Sequence, residues 1–287
     1  MEFVIYCTGK LHEAASKKGS ALLEGESYVK KRYLFFDIDG TLAAGGYEYT
    51  YVPESAMRAL KKLREAGHVL CIATGRSHGM AVEYMDVFGM QNMVSDGGYG
   101  ITVDGKLLDV EPLPKDLVVA LIDECDEKGY PWGLVVDDTS RRFCPDTKFV
   151  DFTGDEYMES VIVPGTRPED YDGVFKVNIA CCPPDEQKLE TLKKLPWARF
   201  HDDYLFVEPT DKARGIRRMM DHFGAPYEDV IVFGDAMNDL SMFVPEWTCV
   251  AMGNACEELK AKADYVTTDV EDDGIWNACV ALKLFEN

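Results

Sequence analysis

The stretch Tyr33-Leu-Phe-Phe-Asp-Ile-Asp-Gly-Thr-Leu42 decides how the chain is read. Its apolar run is long enough for one buried strand, and that strand empties into two acids, a glycine and a threonine. Aromatic and branched residues bounded by glycine suit a central parallel strand covered on both faces, and open α/β sheets bind ligands in the crevice outside such strand ends. Asp37 is the last acid the strand can carry, and Asp39 follows at a turn that Gly40 lets the backbone make tightly. Two close carboxylates repel unless a cation lies between them, so a hard divalent ion with oxygen ligands, Mg2+, is the expected cofactor. Taken alone, D-x-D-G strings are usually turn-forming acids. Three further elements in the right order argue against that reading here.

The first is Thr74-Gly75-Arg76. Pro53 opens a helical pattern through Ala56, Leu60 and Leu63 that Gly67 stops, and His68–Ala73 then reads as a second parallel strand. Thr74 therefore stands at a strand's carboxyl end, as Asp37 does, with a hydroxyl and a following N–H placed to hold phosphate at a helix start. The second is Lys212, opening a helix over 211–223. The third is Gly234-Asp-Ala-Met-Asn-Asp239, the loop after a strand over 230–233.

Together these segments closely resemble the haloacid dehalogenase-like phosphatases, whose D-x-D-G-T-[LV] signature matches Asp37 to Leu42. The long insert between Thr74-Gly75-Arg76 and Lys212 resembles the Cof-like sugar-phosphatase subfamily, with its sucrose-phosphate phosphatase and phosphomannomutase relatives. The resemblance begins at about Lys30. It implies that Asp37 is the nucleophile forming an aspartyl phosphate and Asp39 the general acid/base. It implies Mg2+ held by Asp37, Asp235, the backbone carbonyl of Asp39 and, through water, Asp239. Thr74, Gly75, Arg76, Lys212 and Asn238 are then the phosphate- and substrate-binding residues. Asn238 and Asp239 could equally cap the helix that starts there, and Arg76 could be a solvated group of a first helical turn. The loop Ser95-Asp-Gly-Gly98 departs from the family, which usually has Asn-Gly there, so Asp96 either faces away from the anion site or alters the substrate contacts.

At 287 residues the chain exceeds what one core usually holds, and 46% hydrophobic residues can fill two. The expected architecture is α/β: a doubly wound parallel sheet, Rossmann-like, formed by 30–111 and 208–287, with an inserted α+β cap over 112–207. Residues 1–29 show no helical face and read as a poorly structured leader. Within the cap, helices are expected over Lys115–Lys128 and Asp185–Leu195, with strands near Gly133, Arg142, Val161, Phe175, Arg199 and Leu205. In the core, the tyrosines at 47, 49 and 51 read as a loop, and Ala255–Lys262 as a helix. Asp104-Gly105 marks a hairpin turn.

A formal charge of −21 repels nucleic acid and anionic membrane over most of the surface, so an anionic substrate must be caught by a local basic site or a metal. Nine cysteines cannot all pair, and Cys71, Cys125, Cys249 and Cys279 sit in apolar patterns, which points to a reducing cytoplasm. No apolar run approaches the roughly 20 residues of a membrane span. The expected partner is a small phosphorylated metabolite; no protein partner is evident.

Core residues recognise only the phosphoryl group, so substrate choice should come from the insert, where Arg141, Arg142, Lys176 and Asn178 are candidates. His78 and His222 have no partner that the sequence names. A phosphomutase using the same aspartyl phosphate, or a non-catalytic binding protein on this fold, stand as alternatives to a phosphatase.

Overall fold

The computed structural model describes residues 30–46 and 49–286; the leader expected over 1–29 and Tyr47 of the expected loop lie outside them. Two sheets form. The larger has eight strands, ordered Tyr265–Val266, Thr248–Ala251, Val230–Gly234, Tyr33–Phe36, Val69–Ala73, Asn92–Ser95, Gly100–Val103 and Lys106–Val110. Its first six strands are parallel, and the last two add antiparallel.

Tyr33–Phe36 lies at the centre because it can be buried on both sides. Its two-residue alternation sends Leu34 and Phe36 into a core with the helices Glu54–Glu65, His78–Phe88 and Gly274–Ala281. Tyr33 and Phe35 go into the opposite core, against Lys212–Phe223. Phe36 stacks on Phe233 of the neighbouring strand at 4.6 Å, a pair contributing about 1 kcal/mol beyond its buried area. From Tyr33–Phe36 the chain winds outward to Val69–Ala73 and Asn92–Ser95, whereas Val230–Gly234 begins the march the other way. The strand order therefore reverses between Phe36 and Phe233, and a crevice opens at the carboxyl ends of those two strands.

The second sheet has six strands, ordered Glu159–Ile162, Arg141–Cys144, Trp132–Val135, Lys176–Ala180, Tyr204–Val207 and Trp197–His201. Helix Lys115–Lys128 covers one face over Leu134, Val177, Ile179, Leu205 and Val207. The other face carries Lys176, Phe206 and Glu208 towards the first sheet.

Three expectations are corrected. Asp185–Leu195 is not a helix but two short 3-10 turns, Asp185–Lys188 and Leu192–Lys194. Between them the N–H groups of Glu190 and Thr191 donate to the Glu124 carboxylate, at 2.8 and 2.9 Å, instead of to carbonyls of a helix. The tyrosine-rich loop is a small hairpin, Ala44–Gly46 against Tyr49–Tyr51, anchored at Tyr51 by a hydroxyl bond to Glu271. Helix Ala255–Lys262 shrinks to Glu257–Lys260. The Asp104-Gly105 turn forms as expected, both residues at positive φ.

Candidate active site

The reversal point collects acids from strands that are far apart in sequence. Asp37 follows its strand directly, its N–H donating to Phe233 O at 3.0 Å, and its carboxylate is buried. Lys212, at the first turn of its helix and 1% exposed, extends its Nζ to Asp37 Oδ1 at 2.7 Å and to Asp239 Oδ1 at 2.5 Å. Burial works against the lysine's charge, but the carboxylates of Asp239 and Asp37 outweigh it and raise its pKa. Asp37 is itself raised well above the carboxylate range, by burial first and then by Asp239. Burial, followed by Asp239, pushes Asp235 up to about 7.

Short loops fix these side chains. Asp239 Oδ2 accepts from the N–H groups of Asp235 and Ala236, at 2.9 and 3.1 Å, so it does cap the 3-10 helix Met237–Met242 while its other oxygen faces Lys212. Thr41 Oγ1 donates to Asp235 Oδ1 at 3.0 Å. Gly40 adopts φ +82°, and a Cβ there would fall 2.2 Å from Asp235 Oδ2, so this position excludes any side chain.

Asp37, Asp235 and Asp239 each offer a carboxylate oxygen within 4.8 Å of the others. Three hard oxygen donors against one ammonium leave an excess of negative charge, which fits a hard divalent cation.

Asp39 sits in a different environment, its side chain 52% exposed. Arg76 grips it with two parallel bonds, Nε to Oδ2 and Nη2 to Oδ1, both 2.8 Å, while lying 5.1 Å over the Tyr84 ring. Arg76 is thus neither a solvated surface group nor directed at open space, and its pKa is raised by the bond to Asp39. Thr74 is buried, its Oγ1 accepting from Arg76 N at 3.1 Å. Asn238 is exposed at the rim. Asp37, Asp39, Thr74, Gly75, Arg76, Asp235 and Asn238 line one cavity of about 570 Å³ between the two sheets, whereas Lys212 and Asp239 lie behind it.

Asp96 is half-buried and does not line that cavity. Its Oδ2 accepts from His78 N at 3.1 Å and Ser95 Oγ at 2.8 Å, and burial lifts its pKa to about 6. His78 does have a partner: its Nδ1 meets Asp138 Oδ2 at 2.6 Å, and Asp138 Oδ1 also accepts from Gly79 N, so a loop of the second sheet docks on the start of helix His78–Phe88. His222 is exposed.

Of the four insert candidates, only Lys176 lines the cavity. Arg142 is fully buried, bonded to Ser160 and Asp155 and stacked 4.4 Å over Phe149. Asn178 is equally buried beside Gly133 O, and Arg141 pairs with Asp137. The cavity also takes Tyr157, Arg199, Phe206 and Glu208, none of which the sequence reading named as a site residue. Alternation along Tyr204–Glu208 was a usable signal for Phe206 and Glu208; Tyr157 lies in a loop that carried none.

A family model described as haloacid dehalogenase-like hydrolase matches residues 34–279. YkrA of Bacillus subtilis (strain 168), which bears a phosphatase name, is 30% identical over 263 residues, covering 90% of this chain and 100% of its own. The pyridoxal phosphate phosphatase YbhA of Escherichia coli (strain K12) is 28% identical, over 85% of this chain and 96% of its own. Among solved structures, the subclass IIB sugar phosphatase BT4131 of the same superfamily superposes with a TM-score of 0.71 at 27% identity, covering 89% of this chain and 100% of that one. The chain belongs to the haloacid dehalogenase-like hydrolases and is one of their phosphoric monoester hydrolases.

Proposed function

We propose that this phosphatase hydrolyses small phosphate monoesters, sugar phosphates foremost, with Mg2+ and through an aspartyl phosphate on Asp37, in the cytoplasm. The reading rests most directly on the buried Asp37 carboxylate held by Lys212 at 2.7 Å beside the exposed Asp39. One carboxylate is fixed and shielded from water while the other can reach solvent and the leaving group, which is the division of labour that nucleophile and proton donor require.

In this account Asp37 attacks phosphorus; the new P–O bond forms as the ester P–O bond breaks, and protonated Asp39 gives its proton to the departing alkoxide. Asp39, now ionised, takes a proton from the water that attacks the phosphorus of the aspartyl phosphate, releasing phosphate and restoring Asp37. Lys212, the Thr74 hydroxyl, the Gly75 N–H and Asn238 hold the phosphoryl oxygens. Asp37, Asp235, Asp239 and the carbonyl of Asp39 would hold Mg2+, which supplies positive charge against the phosphoryl oxygens when bound.

The core would span 30–111 and 208–287, and the cap 112–207. The cap closes water out of the cavity. Phosphate release from a panel of phosphorylated metabolites, with and without Mg2+, tests the reading. Turnover of sugar phosphates that disappears on chelation is expected, and Mg2+-independent turnover would overturn the metal assignment.

A further inference from the structure

The cavity between the two sheets is lined by three cations among the described residues, and each already has a carboxylate partner. Arg76 is held by Asp39, Arg199 by Glu186 at 2.7 Å, and Lys176 by Glu208. The last pair is built into the sheet. The antiparallel register that sets Val177 against Val207 puts Lys176 and Glu208 side by side, on the face opposite the helix-covered core. Both side chains are largely shielded, 12% and 18% exposed, and the Lys176 ammonium lies 4.6 Å over the Phe206 ring. The wall facing the phosphoryl site therefore has an aromatic surface, hydrogen-bonding groups and no uncompensated positive charge.

We propose that Glu208 determines specificity. By occupying Lys176, it makes the cavity select esters whose leaving group is uncharged and hydroxylated, and reject those carrying a carboxylate or a second phosphate. A hydroxyl can donate to Glu208 and lay its carbon face on Phe206. An anion set in the same place meets a carboxylate and finds no free cation, and like charges held close in a shielded site repel strongly. This inference deepens the phosphatase reading above and rests on it.

The test uses the full chain with added Mg2+ and a matched pair of substrates, glycerol phosphate and phosphoglycerate, which differ in a hydroxymethyl group against a carboxylate. The wild-type enzyme favours glycerol phosphate in kcat/KM by about tenfold or more. Glu208→Gln, nearly the same shape, frees the Lys176 ammonium to take the carboxylate, and it narrows that preference by about tenfold through a gain on phosphoglycerate. Lys176→Met leaves the Glu208 carboxylate alone and moves the preference the other way. A wild-type preference for phosphoglycerate, or equal effects of both variants on both substrates, overturns the role of Glu208 while leaving the phosphatase reading standing. Failure of the wild-type enzyme to hydrolyse either substrate or p-nitrophenyl phosphate overturns both.

Discussion

Arg76 holds Asp39 by two parallel bonds of 2.8 Å each, although the two residues lie on loops after different strands. The planar guanidinium matches the carboxylate in a way that a lysine cannot. Arg76→Lys keeps the charge but loses the fork, so the Asp39 carboxylate is held less firmly, and the proposed proton transfer from it suffers. Turnover of sugar phosphates is expected to fall by about ten- to a hundredfold. An aryl phosphate, whose phenolate leaves with little protonation, is expected to lose much less. Steady-state rates on the two substrate types decide it; equal losses would remove Arg76 as a positioning residue for Asp39.

Thr41 follows Gly40 in the signature, and its hydroxyl donates to Asp235 from 3.0 Å. Thr41→Val retains the shape and removes the donor. The Mg2+ concentration for half-maximal activity should rise by about tenfold, the usual cost of losing a bond that aims a ligand. An unchanged Mg2+ dependence would mean that Asp235 is oriented without it.

Asp96 predicts a pH dependence of stability. Its folded pKa, about 6, lies above the ordinary 3.8 because of burial. The folded chain thus binds this proton more tightly than the unfolded chain. Its contribution is fully present below the unfolded pKa and is lost as pH rises through about 6. Asp96→Asn keeps an oxygen to accept from His78 N and Ser95 Oγ, tolerates the same positive φ, and does not titrate. Relative to wild type, the variant should gain stability between pH 4 and pH 7, by at most about 3 kcal/mol. Urea unfolding midpoints at the two pH values measure it, and a constant difference would refute the assignment.

Arg142 belongs to packing rather than recognition. Its guanidinium is sealed against Phe149 and paired with Asp155, so Arg142→Ala strands a buried carboxylate. A loss of about 3–5 kcal/mol is expected, with the order of preference among substrates unchanged. A reordered preference in the folded variant would return Arg142 to the substrate site.

The parallel core was legible because its elements carry local signals. Tyr33–Phe36 is apolar throughout, Gly67 stops a helix of clear periodicity, and Asp37, Thr74 and Asp235 each follow a strand. The site's wiring was less so. Nothing local couples Arg76 to Asp39, or His78 to Asp138 some 60 positions away, because both pairings arise only when separate loops meet. The insert was read by residue type, which named Lys176 and Arg141 together with Arg142 and Asn178. Register and covering layers decided against Arg142 and Asn178: both are on the sheet yet sealed over, whereas Lys176, Phe206 and Glu208 reach the open part of that face. Helix Asp185–Leu195 failed because a carboxylate from a distant helix, Glu124, competes for the N–H groups in its middle.

The central claim is that Asp37 becomes phosphorylated during turnover, and trapping that species tests it most directly. Enzyme quenched during steady-state hydrolysis of a sugar phosphate and treated with borohydride should carry homoserine at position 37, since hydride reduces an acyl phosphate but not a free carboxylate. Mass spectrometry of the peptide containing Tyr33 to Leu42 should find the conversion only when substrate was present, and not in Asp37→Asn. Continued turnover with position 37 unmodified, or conversion at Asp39 or Asp235 instead, would contradict the account.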